Sequence, residues 1–185
     1  KNILFIGASH IEQTYPYVEP FGIEYNIYYL TKGGCFVSPS YIQPKWSCLN
    51  IQDYRQVINE VGFDKIVTSI YQLDGDLSRD FEVKTEQINT RITEYNEFLR
   101  FSKSKASEVF MILGKPKGSE FDPKQSVRSN LKKFVVVNKF VTVSEARENY
   151  VLHYNALKER DEIENVTLID PIEYLCDGVC NVMDE

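Results

Sequence analysis

The sequence predicts a three-layer α/β/α protein, with helices on both faces of a mainly parallel five-stranded sheet. Five short apolar runs begin near Asn2, Ile23, Asp64, Glu108 and Val166, and each is followed by a helical or long irregular segment. Strands that alternate with such segments build parallel crossovers. No repeat or low-complexity tract interrupts the alternation, and 185 residues with 43% hydrophobic content suffice for the core of one domain.

The first strand opens the chain. Asn2-Ile3-Leu4-Phe5-Ile6 is an apolar run of the buried parallel type, and it stops at Gly7-Ala8-Ser9-His10. Ser9 therefore stands at a strand's carboxyl end, where open α/β sheets bind their ligands. A serine there either offers its hydroxyl and its own N–H to a ligand, or caps the helix that starts near Ile11. Ile11 to Pro20 reads as a short helix or irregular turn, interrupted by Pro16 and closed by Pro20. Ile23 to Leu30 is the second strand, rich in aromatics, and it ends at Thr31-Lys32-Gly33-Gly34-Cys35. Those glycines either let a substrate approach the main chain or make an ordinary tight turn.

Phe36 to Leu49, with Pro39, Pro44 and Trp46, reads as a loop pinned by a cysteine bond. Ile51, Tyr54, Val57, Ile58 and Val61 have helical spacing, and Gly62 stops that helix. Asp64 to Gln72 is the third strand. Phe81 to Phe101, carrying Ile88, Ile92, Tyr95 and Leu99, is the longest helix. Glu108 to Gly114 is the fourth strand, leading to Lys115-Pro116 and an irregular loop through Phe121-Asp122-Pro123. Val135-Val136-Val137 fits a strand or a buried helix face equally. Ser144 to Glu159 reads as a helix with Ser144 as N-cap. Val166 to Asp170 is the fifth strand. Ser9, Gly33 and Gly34, the Tyr71 to Asp76 loop, Lys115-Pro116 and Asp170 fall at strand C-termini and should share one rim.

A net charge of −6 and 21 scattered Lys and Arg residues argue against nucleic acid as a partner. No apolar run is long enough to cross a bilayer. The chain starts directly on a strand, which reads as a domain excised from something longer. The four cysteines allow three connectivities, and bonds between sequence neighbours, Cys35 to Cys48 and Cys176 to Cys180, are the economical choice. Such bonds would place the domain in an oxidising space. A four-thiolate zinc site is the rival, although neither pair has the two-residue spacing of a zinc knuckle. Free buried thiols are the third option. No Gly-x-Gly-x-x-Gly follows the first strand, which weighs against a phosphate-binding reading of Gly7-Ala8-Ser9. Neither a metal nor a cofactor is expected.

Several stretches, in order along the whole chain, resemble the SGNH (GDSL-like) hydrolases. They are Leu4-Phe5-Ile6-Gly7-Ala8-Ser9-His10, Gly33-Gly34-Cys35, Phe121-Asp122-Pro123, and Asp170-Pro171 through Leu175-Cys176-Asp177-Gly178 and Cys180. Specifically, the pattern resembles the SGNH domain fused behind the membrane domain of bacterial acyltransferase type 3 carbohydrate O-acyltransferases. It implies one SGNH-like, flavodoxin-like domain over residues 1–185. It also implies serine acyl transfer, in which Ser9 attacks an acyl carbonyl and passes the group to a sugar hydroxyl or to water. By position Ser9 is the nucleophile. Its own N–H and that of Gly34, or in second place Gly33, are the oxyanion donors. His10 matches the motif's histidine, but sequence neighbours on a turn point apart, so it is not cast as the base. The implied partners are a carbohydrate acceptor and an acyl donor supplied by a fused or partner membrane acyltransferase domain. The implied location is extracytoplasmic, attached to that integral membrane domain.

Three features depart from the family pattern. Ala8 replaces the acidic residue before the serine, and no asparagine is evident at Tyr71 to Asp76. The Asp-x-x-His segment that supplies the base should follow the last cysteine, yet no histidine follows His153. A serine site without its histidine cannot take up the serine proton efficiently. The expectation is a chain clipped just before that segment. The alternative is a non-catalytic carbohydrate-binding or substrate-presenting module, for which twelve tyrosines and Trp46 would suit sugar stacking. His153, on a predicted helix among apolar and tyrosine neighbours, reads as structural.

Overall fold

The computed structural model describes residues 1–33, 35, 37, 48–69, 81–113, 127–130, 133–136, 140–148 and 165–181. Among these the chain runs through β1 (Asn2–Gly7), α1 (Ser9–Glu12), α2 (Tyr15–Val18), a 3-10 segment (Glu19–Ile23) and β2 (Asn26–Thr31). It continues through α3 (Ile51–Val61), β3 (Lys65–Ser69), α4 (Phe81–Lys105), β4 (Glu108–Ile112), β5 (Val127–Asn130), β6 (Lys133–Val136) and β7 (Phe140–Thr142). The last elements are α5 (Val143–Glu148), β8 (Val166–Ile169), α6 (Pro171–Leu175), β9 (Cys176–Asp177) and β10 (Val179–Asn181).

The main sheet has the order β2-β1-β3-β4-β8 with every pairing parallel, as the alternation predicts. Side chains alternate across it, and both faces are covered. On one face Leu4, Ile6, Ile66, Val109 and Met111 pack with Tyr54 and Ile58 of α3 and with Ile92, Tyr95, Phe98 and Leu99 of α4. On the other, Phe5 and Val67 pack with Ile11 of α1, flanked by Ile27, Tyr29 and Phe110. Burial on both faces is why these strands read as apolar runs rather than as strict alternation.

The predicted α3 matches the observed Ile51–Val61, because its periodic face is reinforced at both ends. The Asn50 side chain accepts from the Asp53 N–H at 3.1 Å, while the Asp53 carboxylate accepts from the Asn50 N–H at 2.8 Å. Gly62 then turns the chain at φ 70°.

Other elements differ from expectation. Pro16 does not interrupt a helix; it occupies the first turn of α2, where its missing N–H is no loss. Ile23 ends the 3-10 segment, so β2 begins three residues later than predicted, at Asn26. The ambiguous Val135-Val136 belongs to β6, paired antiparallel with β5. Thr142, not Ser144, caps α5: its hydroxyl accepts from the Glu145 N–H at 3.2 Å, and the Glu145 carboxylate accepts from the Thr142 N–H at 2.8 Å. The chain's close is not a plain tail. β9 and β10 join β7 in a second, antiparallel sheet, in which Cys180 pairs with Cys176 and packs with Val141, Ala146 and Ile172.

Candidate functional site

β1 lies inside the sheet, with β2 on one side and β3 on the other. The chain leaves β1 toward β2 on one side and leaves β3 toward β4 on the other, and in this strand order that divergence opens a crevice above the carboxyl ends of β1 and β3. Ser9 sits at the crevice, half-buried, as the first residue of α1. Ala8 is the N-cap residue, and no side chain caps the helix. The Ile11 and Glu12 N–H groups bond the Ala8 carbonyl at 2.9 and 3.2 Å. The capping reading of Ser9 is thereby overturned, since its hydroxyl is not spent on the helix. Its N–H, at the first helical position, has no intrahelical acceptor by geometry.

Gly7 makes this turn possible. A Cβ at that position would meet Ile11 Cγ1 at 2.7 Å, and Ile11 is only 1% exposed. The absent side chain lets α1 sit directly on the end of β1.

The neighbouring strand supplies the second wall. Thr31 pairs with Gly7, and the Lys32 N–H donates to the Gly7 carbonyl at 3.1 Å. The Cys35 N–H then returns to the Lys32 carbonyl, also at 3.1 Å. A Cβ built on Gly33 would lie 4.0 Å from the Ser9 Cβ, so the predicted junction of Ser9 with the first glycine is present. The Cys35–Cys48 disulfide ties this turn to the residues before α3, and Cys176–Cys180 bridges β9 and β10. Bonded in pairs, these cysteines offer no thiolates to zinc.

Asp170, also predicted for the rim, follows β8 at its carboxyl end. Asp170 caps α6, its Oδ1 accepting from the Ile172 N–H at 2.9 Å. Gly34, Trp46, the Tyr71 to Asp76 loop, Lys115-Pro116, Phe121 to Pro123, and His153 lie outside the described residues, as does the ring of His10.

Ser9 lines a cleft of about 610 Å³ together with Glu12, Gln13, Tyr15, Pro16, Tyr29 and Thr31. Tyr29 is fixed on three sides. Its ring stacks on Phe5 at 4.8 Å, and the Tyr15 ring meets it at 5.5 Å with the planes 73° apart. The Thr14 hydroxyl donates to the Ile11 carbonyl at 2.6 Å, so the Tyr29 O–H must be the donor in its 2.9 Å bond to Thr14. Burial raises the Tyr29 phenol above its ordinary pKa; the Thr14 bond opposes this and Tyr15 adds to it. The aromatics of β2 are evident in the sequence, but nothing in composition or motif puts Tyr15 and Tyr29 at the site. The available signal was strand alternation: Tyr29 pairs with Phe5, the inward residue before the Gly7-Ala8-Ser9 turn, whereas Tyr28 faces the other way onto Phe63.

No described helix is long and apolar enough to cross a membrane. The family model for the SGNH domain (fused to AT3 domains) matches residues 1–185. No curated protein matches the sequence. Among solved structures the chain is similar to one described as the periplasmic domain of a lipopolysaccharide acetyltransferase from Salmonella ser. Paratyphi A. The identity is 16% and the TM-score 0.58, over 95% of this chain and 68% of that one. At that identity the likeness speaks to the fold alone.

Proposed function

This chain belongs to the SGNH domain family, the kind fused to AT3 domains, and we propose that it carries the serine of an acyl-transfer site acting on a bacterial cell-surface carbohydrate. One observation supports this most. Ser9 presents a hydroxyl unspent by any cap, at the carboxyl end of an interior strand, into a cleft bordered by the β2 turn.

In this reading Ser9 Oγ attacks the carbonyl of an acetyl-type donor and loses its proton to a base. The developing oxyanion takes hydrogen bonds from the Ser9 N–H and the Gly34 N–H. Collapse expels the donor's leaving group and leaves an ester on Ser9. A sugar hydroxyl then attacks that ester, and Ser9 Oγ departs with the proton returned to it. Water in the sugar's place would give hydrolysis. The base is the histidine of an Asp-x-x-His segment that follows the last cysteine in the family pattern. The donor group comes from the membrane acyltransferase domain to which such SGNH domains are joined. The two disulfides support an extracytoplasmic location, and the likeness to a lipopolysaccharide acetyltransferase periplasmic domain supports a surface carbohydrate as acceptor.

The test is fluorophosphonate labelling read by mass spectrometry, on these 185 residues and on the full-length protein. Label on the Ser9 peptide of the full-length protein, absent from Ser9→Ala and weak on the 185 residues alone, is the expected result. An unlabelled Ser9 in both forms would turn the reading to a carbohydrate-binding module.

A further inference from the structure

Building on the Ser9 reading, we infer that Tyr15 and Tyr29 form the subsite for the acceptor sugar ring, with Tyr15 as the face on which the ring stacks. The chemistry of the cleft wall points to a pyranose. Glu12, Gln13 and Thr31 offer a carboxylate, an amide and a hydroxyl, the groups that bond sugar hydroxyls, beside an aromatic corner and Ser9 itself. A pyranose needs that combination, since it carries hydroxyls on its rim and an apolar C–H face. A long acyl chain would have no use for the polar half.

The corner is also pre-organised. Tyr29 is held by the Phe5 stack and by the bond it donates to Thr14, so its position costs nothing on binding. Tyr15 rests against it with planes crossing at 73°, yet remains 48% exposed. Pro16, in the first turn of α2, follows Tyr15 with a restricted backbone. An exposed aromatic face held by a rigid neighbour, in the same cleft as the nucleophile, is what stacking of an incoming acceptor requires.

The experiment uses the full-length protein in detergent, p-nitrophenyl acetate as donor, and the methyl pyranosides of glucose, galactose and mannose as acceptors. The nitrophenol burst counts acylated sites, and the ratio of acetyl glycoside to acetate reports acceptor capture. Tyr15→Ala is expected to raise the acceptor concentration for half-maximal capture about fivefold, within the range of one aromatic contact. Tyr15→Phe, which keeps the ring, restores it. Equal acceptor half-saturation in Tyr15→Ala and the parent would overturn the subsite. So would an effect confined to the donor, which would make Tyr15 a donor contact, or the absence of any acetyl glycoside alongside a normal burst. A burst no larger in the parent than in Ser9→Ala would instead overturn the Ser9 reading. In that case saturation-transfer NMR with the same pyranosides decides the subsite: transfer lost in Tyr15→Ala keeps it, and equal transfer removes it.

Discussion

Ser9 is positioned by a residue that has no side chain. Gly7 lets Ile11 come so close that a methyl group at position 7 would overlap its Cγ1, and Ile11 cannot retreat because it is buried against Phe5 and Val67. Gly7→Ala must therefore lift α1 from the sheet and carry Ser9 with it. Overpacking of this kind costs about 1 to 3 kcal/mol. The expected outcome is a lower urea midpoint and a Ser9 labelling rate that falls by more than the unfolded fraction explains. Labelling that tracks only the folded fraction would show that Gly7 supports the fold and not the site. Gly7 and Ser9 were legible because an apolar run broken by small residues announces a strand end. Tyr15 was not, because its proximity to Ser9 depends on the path of Tyr15–Val18, a short turn with no periodic signal, and Tyr29 could be reached only through the alternation of β2 beside β1. Gly33 lies beside Ser9 at the shared rim, while its φ is not of the kind that only glycine adopts.

At the scale of elements, α3 and α4 are anchored to the sheet by two buried tyrosines. Burial pushes the Tyr54 phenol up to about 12, with the Asp53 carboxylate adding to it. Tyr95, which donates to Thr68 at 3.2 Å beneath the sheet, is likewise raised by burial, with the Thr68 bond opposing. The unfolded chain would lose these protons near pH 10, the ordinary tyrosine value. The folded state keeps them to higher pH. The stability they contribute is therefore fully present below about pH 10 and is lost as pH rises through the folded values, by about 1.4 kcal/mol per pH unit for each. Urea midpoints at pH 8, 10 and 11 should fall steeply in the parent and less steeply in Tyr54→Phe. Parallel curves would refute the assignment. Element boundaries were legible where two signals agreed, as in α3, with its periodic face and terminal glycine. α5 shows the opposite: Thr142 and Ser144 are both capping residues, and the spacing of Thr142 to Glu145, which carries a capping box, decides between them. The β5–β6 hairpin was illegible because Leu131-Lys132 between its strands lacks the Asn-Gly or Gly signature of a two-residue turn.

Across the whole molecule, the parallel order followed from the alternation of apolar runs with long segments, because right-handed crossovers leave few other arrangements. The second sheet did not, since β9 and β10 are two and three residues long and their pairing is local to one disulfide. The two disulfides differ in what they constrain. Cys176–Cys180 closes a separation of 4 residues that the β9–β10 register already brings together, whereas Cys35–Cys48 closes 13 and joins the end of β2 to the approach of α3. In the chain-entropy account a loop of the longer kind restrains the unfolded state by about 3 kcal/mol, and the shorter by about 1 kcal/mol less. Cys35 is also 1% exposed, and its N–H closes the turn that sets Gly33 beside Ser9. Replacing both Cys35 and Cys48 with serine should then lower Tm by about 6 to 12 °C, at 2 to 4 °C per kcal/mol for a chain of this size. It should also slow Ser9 labelling in the fraction that remains folded, because the second wall of the cleft loses its tether. The Cys176, Cys180 double serine variant should lower Tm by about 2 to 4 °C less. Equal losses of Tm in the two variants, with Ser9 labelled at the parent rate in the first, would separate the disulfide from the site and leave Gly7 and Ile11 as its main support.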